Sequence, residues 1–382
     1  MEKLLIISCN DNYDYETRTK YVSKYFNEKQ YDITFLVANF DHRNKKIYKA
    51  ERKDKIQYIH VLKYKKNVSI KRILSHIVFS IGVKNHLLSN HYDVIYHCAP
   101  PNCTIRVLSK LKKKKNFKLI TEIGDMWPES IPLNKRLSTI FSFPFLIWKK
   151  LRDNYLYNSD LVISECELFK NILKRNTKLE SIKTLYFCKK GFYSENENRL
   201  EINNKLLFCY LGSINNIIDI DIISSFLEKI SLKTKVEFHI IGDGEKKEQL
   251  LSSLSHTNVD IIFHGAIFNN YKKMKIINQC HYALNIMKKD VCVGMTMKSL
   301  DYFSFGIPIV NNIEGDIKKI VEKNNVGFNI SNENLNDVIS DIICLDQNEY
   351  NSIRANVKET HKKLFSEEEY YKKMDSYLEN II

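Results

Sequence analysis

The residues best suited to chemistry in this sequence surround the start of one predicted helix. Gly294 permits a tight loop, and Thr296 is a candidate N-cap for a helix that begins at Met297. The free N–H groups at such a helix start form an anion site, and Lys298 in the first turn opposes the helix dipole unless an anion binds there. Asp301 lies three residues further on, on the same face. A cation for phosphate beside a carboxylate for a ribose diol suits a nucleoside diphosphate. The alternative is an exposed ion pair on a surface helix.

Three further glycine turns follow predicted strands in the same half of the chain. They are Tyr-Leu-Gly-Ser at residues 210–213, Ile-Ile-Gly-Asp-Gly at residues 240–244 and Phe-His-Gly at residues 263–265. Glycine lets a ligand or another stretch of backbone approach closely. These turns resemble, in the same order, three donor-domain loops of GT-B fold glycosyltransferases. That resemblance implies five candidate binding residues: Gly212, Ser213, Gly242, Gly244 and Gly265.

Hydrophobic periodicity predicts the elements that position these residues. Short β-branched or aromatic runs alternate with amphipathic stretches in both halves, which is typical of βαβ units in a parallel sheet. Strands are expected at residues 3–8, 33–38, 56–62, 93–97, 118–123 and 160–164, then at 206–211, 236–241, 260–263, 282–286 and 307–311. The helices include residues 17–27, 70–88, 103–113 and a long one over 135–157.

A polar run at residues 191–198 interrupts this alternation. We expect an N-terminal domain at residues 1–188, a linker at 189–204 and a C-terminal domain at 205–364. A last helix at 365–382 is expected to pack back towards the N-terminal domain. The predicted fold class is therefore α/β, with two Rossmann-like, doubly wound domains that face each other across a cleft. Ligands of such sheets bind at the carboxyl ends of the strands.

The segment around Lys298 resembles the nucleotide-sugar site of GT-B fold glycosyltransferases, particularly the family-4 type that builds bacterial capsules and other surface polysaccharides. Those proteins carry a glycine loop, a Lys or similar residue, an acidic residue, an aromatic residue and then Gly-x-Pro, here Gly306 to Pro308. The acidic residue is Asp301, where the family usually has Glu. The family commonly has another Glu eight residues before this acidic residue, and Val293 stands at that position here. This difference leaves open which donor sugar is used and how activity is affected.

The first half is similar to the acceptor domain of these proteins. Residues 121–130 resemble an Arg-Asp-Leu-Trp-Pro-Glu-Ser motif, with Gly124 in place of the Arg. This resemblance places three side chains at the cleft: Asp125, Trp127 and Glu129. His97 lies near a catalytic or sugar-contacting His of the family, and a structural histidine at a strand end is the alternative. His97 and Asp125 are the candidate catalytic residues. Arg18 opens the first helix, where it reaches a phosphate or pairs with Glu16.

Charge is distributed unevenly along the chain. Residues 1–190 hold 37 Lys and Arg against 18 Asp and Glu, a net charge of +19, whereas residues 191–382 hold 22 against 27, a net charge of −5. This asymmetry favours a polyanionic partner for the first half, although a solubilising lysine-rich surface is the alternative. One group of cations flanks an aromatic stretch: Lys149, Lys150 and Arg152 beside Phe143, Phe145 and Trp148. Cations around an apolar patch suit an anionic membrane surface.

Several other classes are disfavoured. No Cys-x-x-Cys pair occurs among the nine cysteines, which disfavours zinc and redox motifs and favours a reducing, cytoplasmic compartment. Residues 1–8 are typical of a strand and not of a signal peptide, and the apolar stretch at residues 139–148 is too short to span a membrane. Asp219 and Asp221 mimic a metal-binding pair but point apart at a helix start. We therefore expect no metal and no cofactor. No nucleic-acid reader motif is recognised either.

Together with the resemblance, these patterns predict a hexosyltransferase-type glycosyltransferase. It would move a sugar from a nucleoside diphosphate sugar to an acceptor in surface polysaccharide synthesis, with retention of anomeric configuration. The implied partners are the nucleotide sugar, a polyprenyl-diphosphate-linked or glycan acceptor, and an anionic membrane on whose inner face the protein binds peripherally. Two alternatives stay open, namely a sugar-nucleotide epimerase of the same fold and a non-catalytic partner subunit of a glycosyltransferase complex.

Overall fold

The computed structural model describes residues 1–10, 17–42, 44–48, 55–131, 142–193 and 205–382. These residues form two compact units. Unit 1 contains Met1–Phe187 and Tyr370–Ile382, and unit 2 contains Cys188–Glu369. Each unit has its own parallel sheet and its own hydrophobic core. Of the linker predicted at residues 189–204, the part from 194 onwards lies outside the described residues.

Unit 1 alternates strands and helices along the chain. Its described strands are β1 (Lys3–Ser8), β2 (Asp32–Ala38), β3 (Phe40–Asp41), β4 (Lys46–Ile47), β5 (Ile56–Ile59), β6 (Val94–Ala99), β7 (Lys118–Ile123), β8 (Leu161–Ser164) and β9 (Ile182–Thr184). Its described helices are α1 (Arg18–Glu28), α2 (Ile70–Ser89), α3 (Asn102–Lys112), α4 (Ser142–Asp153) and α5 (Glu167–Thr177).

The main sheet of unit 1 is parallel, in the order β5-β2-β1-β6-β7-β8-β9, and β3 pairs with β4 separately. The central strand β1 reads Lys-Leu-Leu-Ile-Ile-Ser, and all its residues after Lys3 are buried. Such a continuous apolar run is typical of a strand that helices cover on both faces. Chain order reverses between β1 and β6, so the switch point at which such sheets bind ligands lies beside the carboxyl ends of these two strands.

Unit 2 repeats this architecture. Its strands are β10 (Lys205–Leu211), β11 (Lys235–Ile241), β12 (Val259–Gly265), β13 (Tyr282–Asn285), β14 (Ile309–Asn311) and β15 (Gly327–Asn329). Its helices are α6 (Ile220–Ser231), α7 (Lys247–Leu254), α8 (Asn270–Ile277), α9 (Met297–Ser304), α10 (Asp316–Asn324), α11 (Leu335–Cys344) and α12 (Gln347–Phe365). The last helix, α13 (Glu367–Leu378), begins in unit 2 and continues into unit 1.

The sheet of unit 2 is parallel in the order β12-β11-β10-β13-β14-β15, so its switch point lies between β10 and β13. Helix α6 shows how the sequence builds this layer. Its apolar residues Ile223, Phe226 and Ile230 recur at helical spacing and are buried against the sheet. Asp219 lies at the helix start as predicted, where its side chain accepts the Ile222 N–H at 3.2 Å.

The α/β fold class is confirmed, and most predicted elements are confirmed to within a few residues at each end. The helix predicted over residues 135–157 is shorter within the described residues, where it occupies Ser142–Asp153. The short strands β3, β4, β9 and β15 were not predicted, because two or three residues each carry too little periodicity to stand out. Among the helices in the described ranges, none is long and apolar enough to cross a membrane.

Candidate functional site

Three glycine turns meet at the carboxyl end of the sheet in unit 2. The Gly212 N–H donates to the Ile241 carbonyl oxygen at 2.9 Å, and the Gly242 N–H donates to the Gly265 carbonyl oxygen at 2.8 Å. A Cβ on Gly242 would lie 1.9 Å from the Gly212 carbonyl oxygen, so no larger residue fits there. The structure therefore brings three of the predicted binding glycines side by side.

The second glycine of the β11 turn is fixed in the same way. A Cβ on Gly244 would lie 2.3 Å from the carbonyl oxygen of Ile214, whose N–H donates to the Asp243 carbonyl oxygen at 3.0 Å. Ser213 is exposed, and its carbonyl oxygen accepts the Tyr210 hydroxyl at 2.8 Å. The turns after β10 and β11 therefore hold each other in place.

Polar side chains fasten the start of α9 to the strand ends. The Thr296 hydroxyl oxygen accepts the Ser299 N–H at 3.0 Å, and the hydroxyl donates to the Asn285 side chain at 3.2 Å. Asn285, fully buried at the end of β13, donates to Asn311 at 2.9 Å, and Asn311 donates to Asn329 at 2.8 Å. This row of amides joins the last residues of β13, β14 and β15, so the helix start is rigidly placed.

The start of α9 offers backbone donors. The N–H groups in the first turn of an α-helix lack intrahelical partners, and Thr296 accepts that of Ser299. Met297, the first helical residue, is 47% exposed, so this end of the helix is open to solvent. Gly294 is buried in the preceding loop, where its carbonyl oxygen accepts the Ile317 N–H at 3.1 Å. The geometry is that of an anion site.

Lys298 is held against the β10 turn without a counter-charge. Its ammonium lies 4.6 Å from the centroid of the Tyr210 ring and 3.4 Å from the Tyr210 hydroxyl oxygen. Its alkyl stem fills the space beside Gly212, where a Cβ would lie 3.3 Å from the Lys298 Cδ. Lys298 forms no ion pair with a carboxylate of the described chain, and burial lowers the pKa of Lys298 to about 7. An anionic ligand would supply the missing charge.

Asp301 pairs with a lysine that the sequence patterns did not indicate. Its carboxylate forms an ion pair with Lys189, from the segment predicted as a linker. Lys189 is buried, its N–H donates to the Phe365 carbonyl oxygen at 2.8 Å, and its carbonyl oxygen accepts from the His361 ring at 2.9 Å. Lys298 and Asp301 therefore share a helix face but form no exposed ion pair with each other within the described residues.

Charged side chains also meet at the carboxyl ends of β7 and β8 in unit 1. Arg18, the first residue of α1, forms ion pairs with Glu122 at 2.5 Å and with Glu165 at 3.5 Å. Glu122 is fully buried and also accepts the Tyr96 hydroxyl at 2.6 Å. The guanidinium of Arg18 is therefore engaged by two carboxylates. Glu16, its predicted partner, lies outside the described residues.

Glu165 is a candidate proton-transfer group that the sequence analysis missed. It directly follows β8, and its side chain is 21% exposed. Burial raises the pKa of Glu165 to about 7, because desolvation outweighs the attraction of Arg18, and Glu122 and Asp125 add repulsion. A carboxyl group with such a pKa exchanges protons readily at neutral pH. Its signal in the sequence, an acidic residue after a strand, is too common to single it out.

His97 lies inside the sheet of unit 1. It belongs to β6, in register with Ile7 of β1 and Thr121 of β7. The side chain is fully buried, and neither ring nitrogen has a hydrogen-bond partner among the residues that the structure describes. Burial lowers the pKa of His97 to about 3, so the ring is neutral. In this structure the ring does not reach solvent. His97 therefore has the surroundings of a structural histidine, which is the alternative given in the sequence analysis.

Asp125 and Trp127 lie together after β7. The Asp125 carboxylate accepts the Ser130 hydroxyl, and burial raises the pKa of Asp125. The Trp127 ring is buried beneath the Arg72 guanidinium, whose carbon lies 4.0 Å from the ring centroid. Both side chains are thus held by unit 1 itself.

Glu129 binds a buried arginine. Its two carboxylate oxygens accept from the two terminal nitrogens of Arg152 at 2.8 and 2.9 Å, and Asp153 accepts from the Arg152 Nε at 2.7 Å. Arg152 is fully buried, and Trp148 is buried against the His76 ring. The prediction that Arg152 and Trp148 belong to an exposed basic patch is therefore wrong, because two carboxylates satisfy the guanidinium in the interior.

Comparison with known proteins bears on both units. Residues 205–348 match the protein family described as Glycosyl transferases group 1. This segment contains every candidate residue of unit 2 that the sequence analysis named. A search of curated protein sequences finds no match to the chain.

Several solved structures are similar to the chain over its whole length. The sucrose-phosphate synthase of Thermosynechococcus elongatus aligns with a TM-score of 0.71 and 14% identity, covering 100% of this chain and 99% of that one. HepE of Anabaena, in complex with UDP-glucose, gives a TM-score of 0.66 and 13% identity over 100% of both chains. The lipopolysaccharide outer core galactosyltransferase WaaB, in its apo form, gives 0.65 and 15% over 100% of both. These likenesses confirm the GT-B fold.

The pKa of Lys298 predicts that the binding of a diphosphate at this lysine depends on pH. The free protein loses the Lys298 proton as the pH rises through about 7, whereas a bound diphosphate would raise that pKa again. Above this pH, binding must therefore take up a proton. We expect the affinity for UDP to fall as the pH rises from about 7 to 9, approaching tenfold per pH unit. Isothermal titration calorimetry in buffers of different ionisation enthalpy measures both the affinity and the proton uptake.

Lys298→Met is the matched control for this prediction. It keeps the length of the side chain and removes the titrating group. The fall in UDP affinity and the proton uptake that the wild type owes to Lys298 should therefore be absent in this variant. A wild-type affinity that stays constant across this pH range, with no proton uptake, would contradict the assignment.

Proposed function

We propose that this protein is a retaining glycosyltransferase that moves a sugar from a nucleoside diphosphate sugar to a lipid-linked or glycan acceptor. We place this reaction in bacterial surface polysaccharide synthesis, on the cytoplasmic side of the membrane. One observation carries the proposal: no carboxylate in the described part of the chain pairs with the Lys298 ammonium at the start of α9. That helix belongs to the segment that matches group 1 glycosyl transferases.

The donor side of the reaction follows from this arrangement. The departing diphosphate gains negative charge in the transition state, which the N–H groups of the α9 start and the Lys298 ammonium would stabilise. Gly212 and Gly242 keep the adjoining turns free of side chains, so a nucleotide can approach the backbone. Asp301, oriented by Lys189, would accept a hydrogen bond from a ribose hydroxyl.

UDP-sugars are the first donors to test. HepE was solved with UDP and glucose and with UDP-glucose, and a TarM structure from S. aureus contains UDP. Those ligands belong to those proteins, and the low identity to this chain leaves its own nucleotide and sugar to experiment.

On the acceptor side, we assign Glu165 to the acceptor hydroxyl. Its ionised carboxylate would accept a hydrogen bond from that hydroxyl and so orient the acceptor oxygen. In transfer with retention, the sugar–phosphate bond breaks, the bond to the acceptor oxygen forms on the same face, and the acceptor proton passes to the departing diphosphate. Arg18, which also pairs with Glu122, holds Glu165 through an ion pair at 3.5 Å.

A thermal-shift screen against nucleoside diphosphate sugars tests the proposed function. A donor at 100 times its Kd stabilises the protein by about 2.7 kcal/mol. We expect the true donor to raise the Tm by several degrees, and free sugars to leave it unchanged. Transfer from that donor to a membrane-lipid extract is the second readout. A panel without any shift would contradict the proposal, and conversion of the donor sugar without an acceptor would identify an epimerase.

We expect transfer to be independent of divalent cations. The described parts of the chain contain no group of three or more His, Cys, Asp or Glu side chains placed to hold a metal ion, and Asp219 caps a helix. Helix donors and Lys298 would provide the charge that a metal otherwise supplies at a diphosphate. Initial rates with excess EDTA should equal those with added Mg²⁺ or Mn²⁺. Loss of transfer in EDTA, restored by either cation, would contradict this expectation.

A further inference from the structure

Helix α2 carries a second apolar stripe on the side that faces solvent. Exposed apolar residues recur at helical spacing along its length: Ile70, Leu74, Ile77, Ile81 and Leu88, which are 73, 45, 39, 53 and 55% exposed. The other side of this helix buries Phe79, Val83 and Leu87 in the core of unit 1. An aliphatic stripe of this length on a solvent-facing helix marks an interaction surface.

Cations surround the middle of this stripe. Helix α3 packs beside α2, and between them lies a groove of about 770 Å³. Ile77 and Ile81 of the stripe line its apolar part. Five basic side chains also line the groove: Lys84, Arg106, Lys110, Lys113 and Lys114.

This face has almost no acidic residues. Residues 63–118, which include α2 and α3, contain 13 Lys and Arg but one acidic residue, Asp93. Asp93 accepts the backbone N–H of Lys3 at 2.8 Å, beside the amino end of β1. The cations at the groove therefore stay uncompensated by carboxylates of this segment.

Helix α4 extends the apolar surface. It packs against α3 and exposes Phe143, Leu146 and Ile147 by 69, 47 and 48%. Lys149 of the same helix lies 3.7 Å from Glu129. The basic patch predicted on α4 is therefore reduced by pairing and burial. Within the described ranges, cations that no carboxylate pairs with lie at the groove between α2 and α3 instead.

We propose that the face formed by α2, α3 and α4 docks on an anionic lipid bilayer. The aliphatic stripe would enter the boundary between headgroups and acyl chains, and the lysines at the groove would contact anionic headgroups. A second copy of the chain would bring cations against cations. Nucleic acid would leave the stripe in water, since bases stack on aromatic rings and the five exposed side chains of the stripe are aliphatic. The inference rests on this surface alone and not on the donor site.

Vesicle co-sedimentation of the full chain tests the proposal. The wild-type protein should sediment with phosphatidylcholine vesicles that contain phosphatidylglycerol, and not with phosphatidylcholine alone. This binding should weaken as salt is added. Replacing Lys110, Lys113 and Lys114 together with Gln should lower partitioning about a hundredfold at low salt. Ile70→Ser with Ile81→Ser should weaken binding at every salt concentration, because apolar insertion is not screened.

Two controls make the result specific to this face. Replacing Lys170, Lys174 and Arg175 of α5 with Gln changes the net charge of unit 1 equally and should leave binding unchanged. Circular dichroism must show that each variant is folded. Equal sedimentation with neutral and anionic vesicles, or equal loss in both triple variants, would overturn the proposal. So would binding to a single-stranded DNA oligonucleotide without any binding to vesicles. A protein that sediments with anionic vesicles but binds no nucleoside diphosphate sugar would contradict the proposed function and not the docking.

Discussion

Among the residues that the structure describes, no carboxylate pairs with the ammonium of Lys298, and the proposed donor site depends on this uncompensated charge. Taking an ammonium partly out of water disfavours its charged form, and the pKa of Lys298 is lowered to about 7 for this reason. The carboxylate on the same helix, Asp301, is bound to Lys189. Within the described chain, Lys298 therefore lies unpaired in the first turn of α9, where the backbone N–H groups also favour an anion.

The backbone makes this charge arrangement rigid. The contact between Gly212 and Gly242 admits no side chain, and it places the β10 turn against the stem of Lys298. The amide row that begins at Asn285 holds Thr296, and therefore the first turn of α9, against the strand ends. In unit 1, Arg18 forms ion pairs with two carboxyl groups at the ends of β7 and β8. A positive site suits a diphosphate, and a carboxylate with a pKa near 7 suits a hydroxyl.

Sequence patterns predicted the parts of this structure that are local. Alternating apolar runs identified the strands of both sheets, and glycine after a strand identified the turns at Gly212, Gly242 and Gly265. Contacts between distant residues carried no such signal. Lys189 and Asp301 are far apart in sequence, and Lys189 lies in a stretch that resembles a linker. The burial of Arg152 likewise depends on its ion pair with Glu129. The distribution of charges along the sequence does not predict that these two residues pair.

The account is tested most directly by measuring whether Lys298 recognises phosphate. Titration calorimetry of UDP and of uridine against the wild type, Lys298→Met and Lys233→Ala separates the phosphate from the nucleoside, since Lys233 is exposed beyond the end of α6. The account predicts that Lys298→Met weakens UDP binding about 10- to 150-fold, the loss of one charge-assisted hydrogen bond, and leaves uridine binding unchanged. Lys233→Ala should bind both ligands as the wild type does. Equal UDP affinity in the wild type and Lys298→Met, or an equal loss for UDP and uridine, would contradict it.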